Sequence, residues 1–185
     1  MMTILNYEKS IFLLVCLLSF TQGLDAQDKI TKHFIGLNPS ITAEPFYEDG
    51  ELDINIFPIV YQRIITKRAD FRMTSILNYG IRNDGNKASI YGFEIAAPFF
   101  ISQKLDKYLP SKGFFFAPVV SIVRYSKEEH TNLGIWFEPG YNFLMDNNFS
   151  LSLGVQAGAT YFSYDNEQEK WRNHFGIKIV FGKWL

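Results

Sequence analysis

The chain has 185 residues, with 18 Lys and Arg against 19 Asp and Glu. This balance leaves no basic surplus for nucleic acid and no acidic tail. Cys16 is the only cysteine, which excludes an internal disulfide or a thiolate metal cluster.

The N-terminus reads as a secretory signal. Residues 1–10 are polar around Lys9, and residues 11–20 form an apolar run too short to span a bilayer as a helix. Cleavage is expected between Gly23 and Gln27, giving a signal peptide of residues 1–27 and one domain of residues 28–185. Cys16 follows Val15, which is not small, so it reads as a hydrophobic leader residue rather than a lipidation site. Losing Lys9, Glu8 and Asp25 with the leader brings the remaining chain to zero net charge.

Eight strand-like stretches follow, at residues 33–42, 52–65, 71–82, 89–102, 113–125, 132–145, 149–164 and 171–183. The connectors between them, 44–50, 66–70, 83–87, 103–112, 126–131, 146–148 and 165–170, are rich in Asp, Asn, Gly, Lys and Glu, the residues of turns. Regular hairpin spacing without a helical period predicts an all-β, up-and-down antiparallel meander. Five prolines (Pro39, Pro58, Pro98, Pro118 and Pro139) fall inside these stretches. Lacking a ladder donor, they are expected at bulges or strand ends.

The seventh stretch shows the pattern best. Phe149, Leu151, Leu153, Val155, Ala157, Ala159 and Tyr161 share one face; Ser150, Ser152, Gly154, Gln156, Gly158 and Thr160 share the other. A soluble strand has a mode of about 5–6 residues, whereas a tilted strand needs about 9–11 to cross a bilayer. In the third stretch Phe71, Met73, Leu77, Tyr79 and Ile81 oppose Arg72, Thr74, Asn78 and Arg82. In the fourth, Tyr91, Phe93, Ile95, Phe99 and Ile101 oppose Gly92 and Glu94. In the sixth, Leu133, Ile135, Phe137, Tyr141 and Phe143 oppose Asn132, Gly134, Glu138 and Asn142. In the eighth, Trp171, Phe175, Ile177, Ile179 and Phe181 oppose Arg172, His174, Gly176 and Lys178. The fifth is apolar on both faces, and its facing stays open. The apolar faces are aromatic and almost uncharged, which suits lipid, because a Lys or Arg facing the midplane costs about 2–4 kcal/mol.

The polar faces carry Asp53, Arg63, Arg72, Arg82, Glu94, Glu138, Arg172 and Lys178. An eight-stranded barrel has room inside only for side chains, so inward charges must pair. Glu94 and Glu138 are expected to meet Arg72, Lys178 or another inward cation. The six candidates for this interior network are Arg72, Glu94, Glu138, Lys178, Arg63 and Arg172. It reads as a plug of ion pairs, with a gated proton or ion path as the alternative. His33, His130 and His174 lack metal-ligand spacing. No nucleophile elbow supports a hydrolase. Glu44, Glu48, Asp49 and Glu51 beside Phe46 and Tyr47 read as a solvated loop, with a divalent cation as the alternative occupant. No catalytic residue, cofactor or metal is expected.

With its leader, eight alternating stretches and a strand running to the C-terminus, the chain resembles the small outer-membrane β-barrel proteins of Gram-negative bacteria, in the aromatic-rich style of Bacteroidota. In that family the last strand alternates apolar residues and ends in an aromatic. Phe175, Ile177, Ile179 and Phe181 match this pattern, while Trp184 is penultimate and Leu185 last. The resemblance implies a transmembrane barrel in the outer membrane, both termini in the periplasm, and folding by the barrel-assembly machinery. It also implies membrane lipid as the surrounding partner and a monomeric state. The function expected is a non-enzymatic structural or surface-interaction role. The alternatives are a narrow pore for small solutes, a lipid-modifying enzyme, and a secreted soluble lipocalin-like barrel.

Overall fold

The computed structural model describes residues 33–42, 52–81, 83, 85, 87–102, 109–126, 130–164 and 170–185. The proposed leader, the acidic first loop and Arg82 lie outside the described residues. Eleven strands make eight staves of one antiparallel sheet that closes on itself. Stave one is β1 (His33–Leu37) and β2 (Ile41–Thr42); stave two is β3 (Leu52–Asn55) and β4 (Ile59–Ile64). Stave three is β5 (Asp70–Ile81), and stave four is β6 (Lys87–Ala96) with β7 (Phe99–Phe100). Staves five to eight are β8 (Gly113–Tyr125), β9 (His130–Leu144), β10 (Phe149–Tyr164) and β11 (Lys170–Trp184). Closure comes from β1, whose Phe34 and Leu37 pair with Trp184 and Phe181 of β11.

Each stave is a meander neighbour of the next because the connectors allow nothing else. Between β9 and β10, for example, Asp146–Asn148 make a single tight turn. Asn147 and Asn148 take positive φ there, 59° and 62°, a region that asparagine tolerates better than most residues. The start of β1 at His33, the last residue Leu185, this turn and the 65–69 turn share one end of the barrel, called here the terminal end. The last residues of β2, β5, β8 and β10 share the far end.

The prolines act in two ways. Pro39, Pro58 and Pro98 sit at the breaks that split staves one, two and four. Pro118 and Pro139 stay inside β8 and β9, contrary to the sequence expectation. They leave gaps in the ladders while the register continues on both sides: Val119 pairs with Ala96 and Phe116 with Phe99 across one gap, and Gly154 with Gly140 and Ala157 with Phe137 across the other.

Of the three proline breaks only the one at Pro58 shifts the register; a second shift, between β5 and β6, lies at Asn78 and Tyr79, away from any proline. Asn55 faces Asn78 of β5, whereas Val60 faces Thr74, so stave two carries one extra residue there. Asn55 Oδ1 accepts from Phe57 N at 3.1 Å and from Leu77 N at 3.2 Å, and these bonds hold the bulge. One extra residue exchanges the faces. Asp53 and Asn55 point inward before the bulge, and Val60, Gln62 and Ile64 after it.

Inside and outside now separate cleanly. Outward-pointing side chains are apolar over the middle of the wall, among them Val120, Ile135, Phe137, Val155 and Ile177, all exposed. The outward cations of the described strands, Arg63, Lys183 and Arg124, sit near the two ends. Inward residues are mixed. The facing of β8 is settled: Phe115, Ala117 and Val119 point in and pack with Ala96, Phe100 and Trp136, while Phe114, Phe116 and Val120 point out. A second inward cluster, Phe34, Val60, Ile64, Val180 and Trp184, fills the terminal end. Trp184 therefore serves as an interior packing residue, its ring 5.4 Å from that of Phe34.

The closing seam is tight at this end. A Cβ on Gly182 would lie 2.2 Å from Ile35 O and 2.4 Å from Gly36 Cα, both backbone atoms. Gly182→Val is expected to lose about 1–3 kcal/mol of stability by overpacking, read as a lower urea midpoint of the refolded protein. A midpoint equal to that of the wild type would show that the seam gives way.

Candidate functional site in the barrel lumen

Midway along the lumen a chain of buried polar groups crosses five staves. On β5, Arg72 Nη2 donates to Glu138 Oε2 of β9 at 2.6 Å. From β10, Gln156 Nε2 donates to Glu138 Oε2 at 3.0 Å and to Glu94 Oε2 of β6 at 3.2 Å. On β11, Lys178 Nζ donates to Glu94 Oε1 at 2.8 Å. All five side chains are buried. The two cations balance the two anions, as a site with almost no water requires. Glu138 finds room because the neighbouring strand offers a glycine: a Cβ on Gly154 would lie 2.9 Å from Glu138 Oε1. Arg72 Nε and Glu138 Oε1 have no hydrogen-bond partner among the described residues.

The terminal side of this network is closed by a second polar cluster, which the sequence did not reveal. Asp70 Oδ2 accepts from Gln62 Nε2 at 2.7 Å and from Ser111 Oγ. Asn142 Nδ2 donates to Ser111 O and, at 3.1 Å, to Ser150 Oγ. Trp184 Nε1 reaches the same hydroxyl at 3.4 Å. Pro110 and Ser111, from the connector before β8, are thereby buried in the barrel mouth. Asp70 and Ser111 both fell in predicted connectors. The parity of Asp70 with Arg72 was a usable signal; nothing in the sequence marked Ser111.

The far side of the network is aromatic. Trp136 and His174 stack with ring centroids 4.0 Å apart and planes 14° from parallel. Trp136 Nε1 and His174 Nε2 make no hydrogen bond among the described residues. Nearer the far mouth, Tyr125 stacks on His130 at 4.5 Å, and Phe162 lies 5.7 Å beyond. Arg172 rests over Phe162, 5.2 Å from its ring centroid.

Of the six candidate charges, the structure brings Arg72, Glu94, Glu138 and Lys178 together and leaves two outside. Arg63 is exposed on the outer wall, because the bulge at Pro58 exchanges the faces of stave two between Asp53 and Arg63. Arg172 keeps inward parity, but it is exposed near the far mouth, beyond the reach of Glu94 and Glu138. His33 meets Tyr61 OH at 2.7 Å through Nδ1. His130 is the first residue of β9, and its buried ring corrects its placement in a loop. No group of His, Cys, Asp or Glu among the described residues is arranged to hold a metal ion. What this arrangement can do is bind staves three, four, six, seven and eight to one another through ion pairs.

No family model, curated protein or solved structure matches this chain.

Arg72→Met would leave Glu138 buried without its cation, at a cost of about 3–5 kcal/mol. Arg72→Met with Glu138→Leu is expected to recover most of that loss, since an apolar pair of similar volume replaces the ions. Urea midpoints of the two variants test this; a double variant no more stable than the single one would argue against the pairing.

Proposed function

We infer that this protein is an integral outer-membrane β-barrel with a non-enzymatic, structural or surface-interaction role, its lumen closed to ions. One observation carries the reading: the wall is apolar outward and charged inward, the inverse of a water-soluble barrel. An apolar surface of that extent in water would be far larger than the few-hundred-Å² patches soluble proteins tolerate. In lipid it removes the cost of charge at the midplane.

Three further features support the same reading. The outward row of β10 runs from Phe149 to Tyr161, about 30 Å along the membrane normal at an ordinary barrel tilt, close to the apolar thickness of a bilayer. Outward aromatics gather at both ends of the wall. Phe114, Tyr141, Phe143 and Phe149 lie at the terminal end, with Phe114 and Tyr141 4.7 Å apart. Tyr79, Tyr91, Tyr161 and Trp171 lie at the far end, with Tyr161 and Trp171 5.1 Å apart. Arg63, Lys183 and Arg124 lie where headgroups would be, within reach of phosphate. By this reading the termini face the periplasm, and barrel-assembly machinery inserts the chain.

A soluble lipocalin-like carrier would need its apolar side chains turned inward around a ligand. Here the lumen instead holds the Arg72–Glu138 and Lys178–Glu94 pairs. A pore would need water along the lumen, where the five-residue network and the Ser111 cluster lie in series.

Val155→Arg, in the middle of the wall, separates membrane from water. Facing lipid, it is expected to cost about 2–4 kcal/mol of stability in vesicles; an exposed change in water costs under about 0.5 kcal/mol. The smaller figure, or release of the wild-type protein from membranes by alkaline wash, would refute the membrane reading. In planar bilayers the wild-type protein is expected to give no steady conductance, and regular channel steps would favour the pore instead.

A further inference from the structure

The sheet closes with a slope, and the slope sets which outward side chains stand level in the wall. A line drawn across paired residues from Phe149 through Lys183, Ile35 and Tyr61 returns to β10 at Ala159, ten residues nearer the far end. That stagger tilts the strands by about 40° from the barrel axis. Each step across the sheet from β11 to β1, or from β1 to β4, therefore climbs about 3 Å toward the far end, and each residue along a strand counts about 2.5 Å.

Lys183 lies opposite Ile35 of β1, and Arg63 of β4 lies opposite His33, two residues nearer the terminal end. Two steps across the sheet climb about 6 Å, and two residues back descend about 5 Å. Arg63 and Lys183 are thus level to within about 1 Å, one on each side of β1, with Cα atoms about 12 Å apart. Both point outward and are exposed. Two long basic side chains can meet on one group across that gap.

The surroundings of the pair suit a lipid. Lys183 faces Phe149 of β10, and Arg63 faces Phe71 of β5. Phe149 belongs to the terminal aromatic belt, so both cations stand at headgroup height. Between them His33 Nδ1 and Tyr61 OH hydrogen-bond at 2.7 Å. Asp70 is buried in the lumen, and Asp146 sits in the turn after β9. No ion pair joins Arg63 or Lys183 to these two residues or to the carboxylate of Leu185. Deeper on β1, Ile35 and Leu37 are 53% and 42% exposed, an apolar track that starts beside the cations.

The geometry points to a binding site over β1, on the outer wall, for one anionic phospholipid of the leaflet at the terminal end. Its phosphate bridges the Arg63 guanidinium, a forked donor, and the Lys183 ammonium, a point charge. Its acyl chain runs along Ile35 and Leu37. A choline headgroup would bring its own cation to the same pair and is held less well. Arg124, the outward cation at the far end, donates instead to Thr131 Oγ1 at 3.2 Å. The site rests on the membrane reading above and adds to it one preferred lipid at a fixed place on the wall.

The test uses the full chain in nonionic detergent with dioleoylphosphatidylglycerol and dioleoylphosphatidylcholine at equal mole fraction, read by native mass spectrometry. One retained phosphatidylglycerol per barrel is expected, with phosphatidylcholine retained about fivefold less. Arg63→Gln and Lys183→Gln should each lower phosphatidylglycerol retention about fivefold, and the double variant further, whereas Lys183→Arg should keep it. Lys112→Gln removes an exposed cation of the same end, before β8 on the opposite side of the barrel, and should change nothing. Heat-dependent gel mobility reports the folding of each variant, and both cations are exposed, so their replacement removes no buried contact. Wild-type retention in folded Arg63→Gln and Lys183→Gln, or an equal loss in Lys112→Gln, would overturn the site. A chain that inserts into vesicles but does not distinguish the two lipids would sink the lipid site alone. A chain that does not insert would sink the membrane reading beneath it.

Discussion

Charges placed inside an eight-stave barrel have little choice of partner. The lumen is about as wide as two opposing side chains, and an ion left alone there costs several kcal/mol. Arg72, Glu94, Glu138 and Lys178 come from four different staves, and they reach one another only if every intervening strand holds its register. Gln156 joins the two pairs by donating to both carboxylates. A slip of one residue in any of these strands would turn its charge out onto the apolar wall and leave another ion unpaired. The network therefore selects the register as well as filling the centre of the lumen.

The apolar outer wall follows from the same alternation. The four network charges are flanked by outward Phe71 and Met73, Phe93 and Ile95, Phe137 and Pro139, and Ile177 and Ile179, so the lumen and the wall are specified together. Where alternation fails, the structure shows why. At Pro58 one extra residue fits into stave two because a proline needs no ladder donor there, and Asn55 satisfies the backbone around it. Pro118 and Pro139 also lack a donor, but their neighbours skip a bond and keep step. A proline in a strand thus has two outcomes, and only the register on the partner strand decides between them.

The two ends of the barrel are built differently. At the terminal end Trp184, Phe34 and Val180 pack under Ser111, Asp70 and Asn142, and the seam is drawn to backbone contact at Gly182 and Gly36. At the far end the described pairing of stave one with β11 has ended, and the interior is aromatic, with Trp136 stacked on His174 and Tyr125 on His130.

The sequence by itself determined the class of the fold, the approximate place of eight staves, and the membership of four of the six candidate network residues. All of these depend on the period-two alternation, a local property that survives without knowledge of partners. It also determined which side of most staves is apolar. It could not place Arg63, because the face of that residue depends on a bulge whose register is measured against β5. It left β8 undecided, since a strand apolar on both faces carries no sign of which face its neighbours will enclose. It gave no hint of Ser111, buried by bonds to Asp70 and Asn142, about 30 to 40 residues away along the chain. The extent of the described pairing between β1 and β11 was likewise beyond its reach, since where two strands from opposite ends of a chain meet is decided only when the sheet closes.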